Sequence, residues 1–255
     1  MTWSIIARDR HTGQFGIAVA TRFFAVGALV PYVKSRIGAI ATQALVNSFY
    51  GTEGLRLLEQ GRSAPEVVAA VTAADAGREH RQVHVMDGHG RITAHTGTAC
   101  IKWCGHRAGD NFSVAGNMLA GPRVLDDTAS AYELGGALPF VRRLITAMRA
   151  GEAAGGDKRG RQSAALVICG EEEWSDLDLR VDDHADPLAE LERLEAVSRE
   201  YFVHFMRLLP TRRDPVGLTD RHALDDAVAT AAAAARQTRR EAKAGAHLPV
   251  KWDQW

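Results

Sequence analysis

Apolar residues crowd positions 4–9 and 15–21, both stretches rich in Ile, Val and Ala, and the turn formers His11, Thr12 and Gly13 lie between them. Two such runs joined by a short polar turn predict a β-hairpin at the start of the chain. Val26 to Val33 and Ile37 to Gln43 predict two further strands, with Pro31 marking a strand edge or break. The pattern then changes period. Gly54 to Gln60 reads as helix, and Ser63-Ala64-Pro65-Glu66 has the spacing of a capping box, with Val67, Val68, Val71 and Ala74 at helical intervals behind it. Gln82 to Met86 and Ile92 to His95 flank Asp87-Gly88-His89-Gly90, which predicts a second hairpin. Phe112 to Ala115 reads as a strand, Val124 to Tyr132 and Pro139 to Ala150 as helices with a stop at Gly151, and Gln162 to Cys169 as a strand again.

Strands and helix pairs therefore come in blocks rather than in βαβ alternation, which predicts sheets packed face to face with helices outside. After Asp182 the character shifts. A charged and apolar helical pattern runs from Pro187 to about Leu209, Pro210 to Pro215 breaks it, and Ala223 to Ala244 is an alanine-rich run. The expected organisation is a domain over residues 1–182 and a helical extension over 183–255, packing on that domain or on a partner subunit. The closing Lys251-Trp252-Asp253-Gln254-Trp255 reads as a docking or frayed tail.

Composition narrows the function classes. Lys plus Arg number 31 and Asp plus Glu number 31, so no net field holds a nucleic acid by counterion release. Arg8, Asp9 and Arg10 follow only a short apolar stretch, which is neither a signal peptide nor a membrane span, and a cytoplasmic address is expected by default. Cys100, Cys104 and Cys169 form no CxxC pair, and with His95 and His106 they match no common zinc spacing, so neither a disulfide framework nor a metal is expected.

Candidate chemistry begins at Thr2. If Met1 is removed, Thr2 carries a free α-amine, and that amine can take the proton of its own hydroxyl without a separate histidine. The stretches MTWSIIARD (1–9), FGIAVATRFFAVGALVP (15–31), GAIATQALVNSFYG (38–51), TGTACIKWCGH (96–106) and AGGDKRGRQSAAL (154–166) resemble a bacterial family known as domain of unknown function 1028, assigned to the N-terminal-nucleophile hydrolase superfamily. The likeness covers about residues 1–170. It implies an α+β fold, a four-layer αββα sandwich, here with a helical C-terminal extension, and a threonine amine and hydroxyl facing an oxyanion hole. It implies no substrate.

Carried over by residue, Thr2 matches the nucleophile, and Lys34 falls where proteasome-like members place a cation that lowers the nucleophile's pKa. A solvated surface lysine is the plain alternative for Lys34. Asn47 and Asn117 are candidate oxyanion donors, although Asn117 also suits a turn. Arg22, Gln43 and Tyr50 are candidate substrate contacts within the matching stretches. Asp157, Arg159 and Gln162 in the glycine-rich loop can orient an amine, carboxylate or amide, with a helix stop and an ion pair as the bland alternative. The expected protein is a cofactor-free hydrolase that cuts a C–N amide bond of a small molecule through an acyl-enzyme, and a homo-oligomer. A short-peptide peptidase, or a binding or scaffold protein that retains the fold, are the alternatives.

Overall fold

The computed structural model describes residues 2–244, with side chains through residue 237. The chain divides into two compact units, one reaching Leu191 and a second starting at Glu192. In the first, β1 (Thr2–Arg8), β2 (Phe15–Thr21), β7 (Gly105–Gly109), β8 (Phe112–Asn117), β9 (Ser163–Cys169) and β10 (Ser175–Val181) form a six-stranded sheet in the order β10-β9-β2-β1-β8-β7. Strands β3 (Pro31–Lys34), β4 (Gly38–Ala44), β5 (Arg81–Asp87) and β6 (Ile92–Thr96) form a four-stranded sheet in that order. Every pairing in both sheets is antiparallel. Helices α1 (Phe49–Glu59) and α2 (Ala64–Ala73) cover the smaller sheet, α3 (Arg123–Leu134) and α4 (Phe140–Ala153) cover the larger, and the sheets face each other. The result is the expected αββα sandwich.

Strand alternation sorts the side chains into layers. On β1 and β2, Ile6, Phe15, Ile17 and Val19 meet Ala39, Ala41 and Met86 of the opposite sheet. Ile40, Val83 and Val85 point the other way, onto Tyr50, Leu58, Val67 and Val71 of α1 and α2. The layer between the sheets is apolar towards β2 and β9. Towards β5 and β8 it carries Gln82, His84, Ser113 and Asn117, all at most 2% exposed. Burying so many polar groups is costly unless they bond one another.

The capping box forms as its spacing predicts, with the Glu66 carboxylate accepting from the Ser63 backbone N–H at 2.8 Å. Several expectations differ from the structure. Residues 26–28 are a 3-10 turn, and the strand starts only at Pro31, whose missing N–H suits a strand start. Helix α4 runs through Gly151 instead of stopping there. That glycine is a packing residue, because a Cβ would lie 2.2 Å from Thr128 Oγ1 and 2.9 Å from Trp3 Nε1. Strands β7 and β10 arise where no strand was expected. The segment 183–191 stays with the first unit, tied back by Asp186, whose carboxylate meets Arg149 at 3.4 Å and Arg161 at 2.7 Å.

Helix α5 (Pro187–Ser198) crosses into the second unit, which also holds α6 (Phe202–Met206) and α7 (Arg221–Ala244). The pattern expected to stay helical from Pro187 to Leu209 thus breaks after Ser198. Within that unit Tyr201 donates to Asp225 Oδ1 at 3.3 Å, and Arg221 pairs with Asp225 at 2.9 Å one turn along α7. The Lys251–Trp255 tail lies outside the described residues.

Candidate functional site

The first residue of β1 lies where four neighbouring strands of the larger sheet begin or end. Register places Trp3 opposite Ala20, so Thr2 stands beside Thr21 at the end of β2, and on its other side it pairs with Asn117 at the end of β8. Thr21 in turn pairs with Ser163, the first residue of β9. Thr2 is 5% exposed, and its Oγ1 donates to Thr21 Oγ1 at 3.3 Å. Its carbonyl oxygen receives two side-chain amides, Gln43 Nε2 and Asn117 Nδ2, each at 3.4 Å. Those contacts come from both sheets, so they fix the threonine in the layer between them.

The two amides converge on a third. Gln82 Oε1 accepts from Gln43 Nε2 at 2.8 Å and from Asn117 Nδ2 at 3.2 Å. Its Nε2 faces Thr96 Oγ1 and the Gly105 and Gly116 carbonyls, each at 2.9 Å. Ser4 Oγ donates to Gln43 Oε1 at 2.8 Å and lies 2.9 Å from His84 Nε2, while His84 Nδ1 lies 3.1 Å from Ser113 Oγ. Two residues that follow these amides, Ala44 at φ 73° and Met118 at φ 55°, hold left-handed backbone. For residues with a Cβ this is strained; Ala44 is the last paired residue of β4, and Met118 comes directly after the last residue of β8.

Burial pushes His84 down to about 3 from its ordinary 6.5, with the charge of His106 adding to the effect. The unfolded chain therefore takes up this proton first. Neutral His84 contributes stability that is fully present above pH 6.5 and is lost as pH falls towards 3. Relative to His84→Gln, wild type should lose about 1.4 kcal/mol more per pH unit across that window. Urea midpoints at several pH values measure this, and equal slopes in the two proteins would contradict it.

Beside Thr21 the glycine-rich loop closes over the sheet end. The Gln162 N–H donates to the Thr21 carbonyl at 3.0 Å, and Gly155, Gly156 and Gly160 all take positive φ. Asp157 is buried, and its carboxylate accepts from the Arg22 N–H at 2.8 Å, the Arg159 N–H at 2.9 Å and Arg159 Nη2 at 2.9 Å. Lined by Arg22, Gly160, Arg161, Gln162, Asp183 and His184, a cleft of about 500 Å³ opens here. Arg161 is spent on Glu152 at 2.8 Å and Asp186 at 2.7 Å. The Arg22 guanidinium is different: it donates to the Arg161 carbonyl at 2.9 Å and meets no carboxylate among the described residues.

Of the residues singled out in the sequence, Thr2, Arg22, Gln43, Asn117, Asp157, Arg159 and Gln162 gather at this end. Their jobs are not all those expected. Asn117 and Gln43 grip the Thr2 carbonyl, and Asp157 with Arg159 staples the loop to Arg22. Lys34 sits at the other end of the smaller sheet, where it pairs with Gly38 in register and with Glu59 at 2.5 Å. That ion pair, with its hydrogen bond first, raises the lysine's pKa, so this placement gives no support to a cation beside Thr2. Asn47 and Tyr50 both donate to Asp75, at 3.0 and 2.9 Å, and Arg81 joins them at 3.1 Å. Asn47 first, then Tyr50 and Arg81, hold Asp75 below the usual carboxylate range. Asn47 is thus committed to a helix-anchoring cluster rather than aimed at an oxyanion. Among the described residues no group of three or more His, Cys, Asp or Glu could hold a metal.

Sequence reasoning missed Ser4, Thr21, Gln82, His84, Ser113 and Ser163. The signal was present as polar residues at i, i+2 in predicted strands: Thr2 and Ser4, Gln82 and His84. A strand that puts polar residues on one face and apolar residues on the other, yet is buried throughout, points to a polar interior layer.

Comparison with known proteins gives the following. Residues 2–191 match the model of a family of unknown function, DUF1028. A crystal structure of protein SPO2555 from Silicibacter pomeroyi, whose description carries the same family, is 32% identical, with a TM-score of 0.79, over 86% of this chain and 99% of that one. Anbu (ancestral beta-subunit) from Yersinia bercovieri matches at 10% identity and TM-score 0.39 over 82% of this chain and 98% of its own. An Anbu (Gly-1) mutant from Hyphomicrobium sp. strain MC1 matches at 11% and 0.33, over 78% and 94%. The two Anbu likenesses are too remote to bear on function. No curated protein matches the chain.

Proposed function

Since the chain belongs to the DUF1028 family, whose description leaves its activity open, we infer from the site itself that it is a hydrolase cutting a C–N amide bond of a small molecule. The observation that carries this reading is the Thr2 hydroxyl, held beside Thr21, whose chain neighbour Arg22 lines a cleft, with the Thr2 carbonyl clamped from both sheets. With Met1 removed, the Thr2 amine takes the proton from Oγ1 as Oγ1 attacks the amide carbon. The resulting ammonium passes that proton to the leaving nitrogen as the C–N bond breaks, which leaves an acyl ester on Thr2. The same amine then deprotonates a water that attacks the ester, and returns that proton to Thr2 Oγ1 as the ester bond breaks and the acid is freed. This route needs no cofactor.

Arg22 and Gln162 are the recognition groups. An exposed guanidinium without a carboxylate partner, on the wall of the cleft, favours a substrate that carries its own carboxylate. A cleft of about 500 Å³ suits a small molecule better than a folded chain. No helix among the described residues is long and apolar enough to cross a membrane. Exposed Phe23 and Phe24, at 54% and 61%, follow Arg22 and favour a subunit contact, as in a homo-oligomer.

Intact mass tests the first step, because the active chain should lack one methionine. A panel of amides offered as free acid and methyl ester tests the second. Arg22→Gln should raise KM for the acids by about tenfold and leave the esters unchanged. A chain that keeps Met1 and yet turns over amides would remove the amine from the mechanism.

A further inference from the structure

A second cleft, of about 310 Å³, lies at the far end of β1 from Thr2, among the turn after β1, the β7–β8 turn and the corner between α3 and α4. Seven residues of extended strand separate the two ends, roughly 20 Å. Tyr132 lines this cleft, is 1% exposed, and its hydroxyl has no hydrogen-bond partner among the described residues. Its ring is held between Phe112, with centroids 4.9 Å apart, and the Arg143 guanidinium, 3.8 Å from the ring centroid. The clamp prevents the hydroxyl from swinging to another acceptor.

Two arginines at the same cleft are also short of partners. Arg8 Nε is buried without a hydrogen bond, and its guanidinium lies 5.8 Å from the Phe15 ring with no carboxylate beside it among the described residues. Arg143 donates from Nε to the Tyr132 carbonyl at 2.6 Å and likewise meets no carboxylate. The acids of the cleft are engaged. Asp110 pairs with Arg10, Glu133 meets Arg107 at 3.7 Å, and Asp9 Oδ1 caps its own turn through the N–H groups of His11 and Thr12 at 2.9 and 2.7 Å. Burial pushes Tyr132 up to about 12, with Arg143 opposing, so the hydroxyl keeps its proton.

We propose that this cleft binds a small oxyanion, the carboxylate or phosphate group of a ligand, gripped by the Tyr132 hydroxyl and the guanidinium groups of Arg8 and Arg143. Every unsatisfied group found there can donate, and two carry positive charge, so the complementary ligand is an anion rich in acceptors. A cation would meet two guanidinium groups that form no ion pair among the described residues. The site is separate from the cleft lined by Arg22 and Gln162 and stands whether or not Thr2 is a nucleophile.

Calorimetric titration of the full chain with inorganic phosphate, and separately with succinate, tests this in buffer free of other oxyanions and distinguishes the two sources of the group. One or both should bind saturably at a site that remains in Arg22→Gln. Affinity should fall about tenfold or more in Arg8→Gln and in Tyr132→Phe, and stay unchanged in Arg22→Gln. Tyr132→Phe keeps the ring clamp and removes only the unsatisfied oxygen, so its Tm without oxyanion should match or exceed that of wild type, while the oxyanion-induced rise in Tm is lost. Three results each overturn the proposal: no saturable binding of either anion, binding that disappears in Arg22→Gln, or binding that Arg8→Gln and Tyr132→Phe leave intact.

Discussion

Thr2→Ala should lower kcat/KM by roughly 10³-fold or more for any amide that the wild-type chain hydrolyses, while Thr2→Ser keeps measurable turnover. The alanine variant loses the oxygen proposed to attack and nothing else of consequence. Among the described residues Thr2 Oγ1 makes one hydrogen bond, to Thr21 at 3.3 Å, whereas the strand pairing to Asn117 and the two bonds to the Thr2 carbonyl belong to the backbone. Stability should therefore change by no more than about 1 kcal/mol. That separation makes the test sharp, because lost activity cannot be blamed on lost fold. Serine supplies the oxygen and the amine but lacks the methyl that limits rotation about χ1, so a partial rate is expected. Mass spectrometry of a stalled reaction should place the acyl group on the first residue. Full activity in Thr2→Ala would mean that another group attacks.

Gln82→Leu should destabilise the fold by about 3–5 kcal/mol, the largest effect expected from one polar side chain here. Gln82 is fully buried and is the point where both sheets' amides meet. Leucine strands the Gln43 and Asn117 donors and withdraws the donor that faces Thr96, Gly105 and Gly116. Each buried group left unsatisfied costs about 1–3 kcal/mol, and neighbours recover part of the sum by shifting. The midpoint of urea unfolding reads the loss, and a change below about 1 kcal/mol would show that the amides do not act as one network. The Thr2 carbonyl hangs from the same amides, so any residual folded protein should also turn over substrate more slowly.

Hairpins and helices with local signals were legible in the sequence. The Asp87-Gly88 turn and the Ser63–Glu66 cap each act within a few residues, and both formed where expected. Strand β7 escaped because Gly105, His106, Arg107, Ala108 and Gly109 have little β-propensity, and only pairing to β8 makes them a strand. Gly151 misled because the reason for that glycine is Trp3 and Thr128, which lie far away in sequence. The site divided in the same way. Thr2 and the glycine-rich loop could be found by chemistry and by resemblance. Lys34 could not be placed, because strand spacing says nothing of which end of a sheet a residue occupies, and Glu59, its partner, lies on α1. The amide network stayed hidden because each member is an ordinary polar residue until Gln43, Gln82 and Asn117 are brought together from three strands.

The division of the inter-sheet layer into an apolar side and a polar side bears on how this sequence can be altered. Ile17, Val19, Ala39 and Ala165 can be repacked for volume and shape without touching an atom that reaches Thr2. A designer seeking thermal resilience thus has a region where trial and error is harmless to the chemistry. On the other flank, a single exchange among Ser4, Gln43, Gln82 or Asn117 should disturb durability and, on the proposed mechanism, reactivity together.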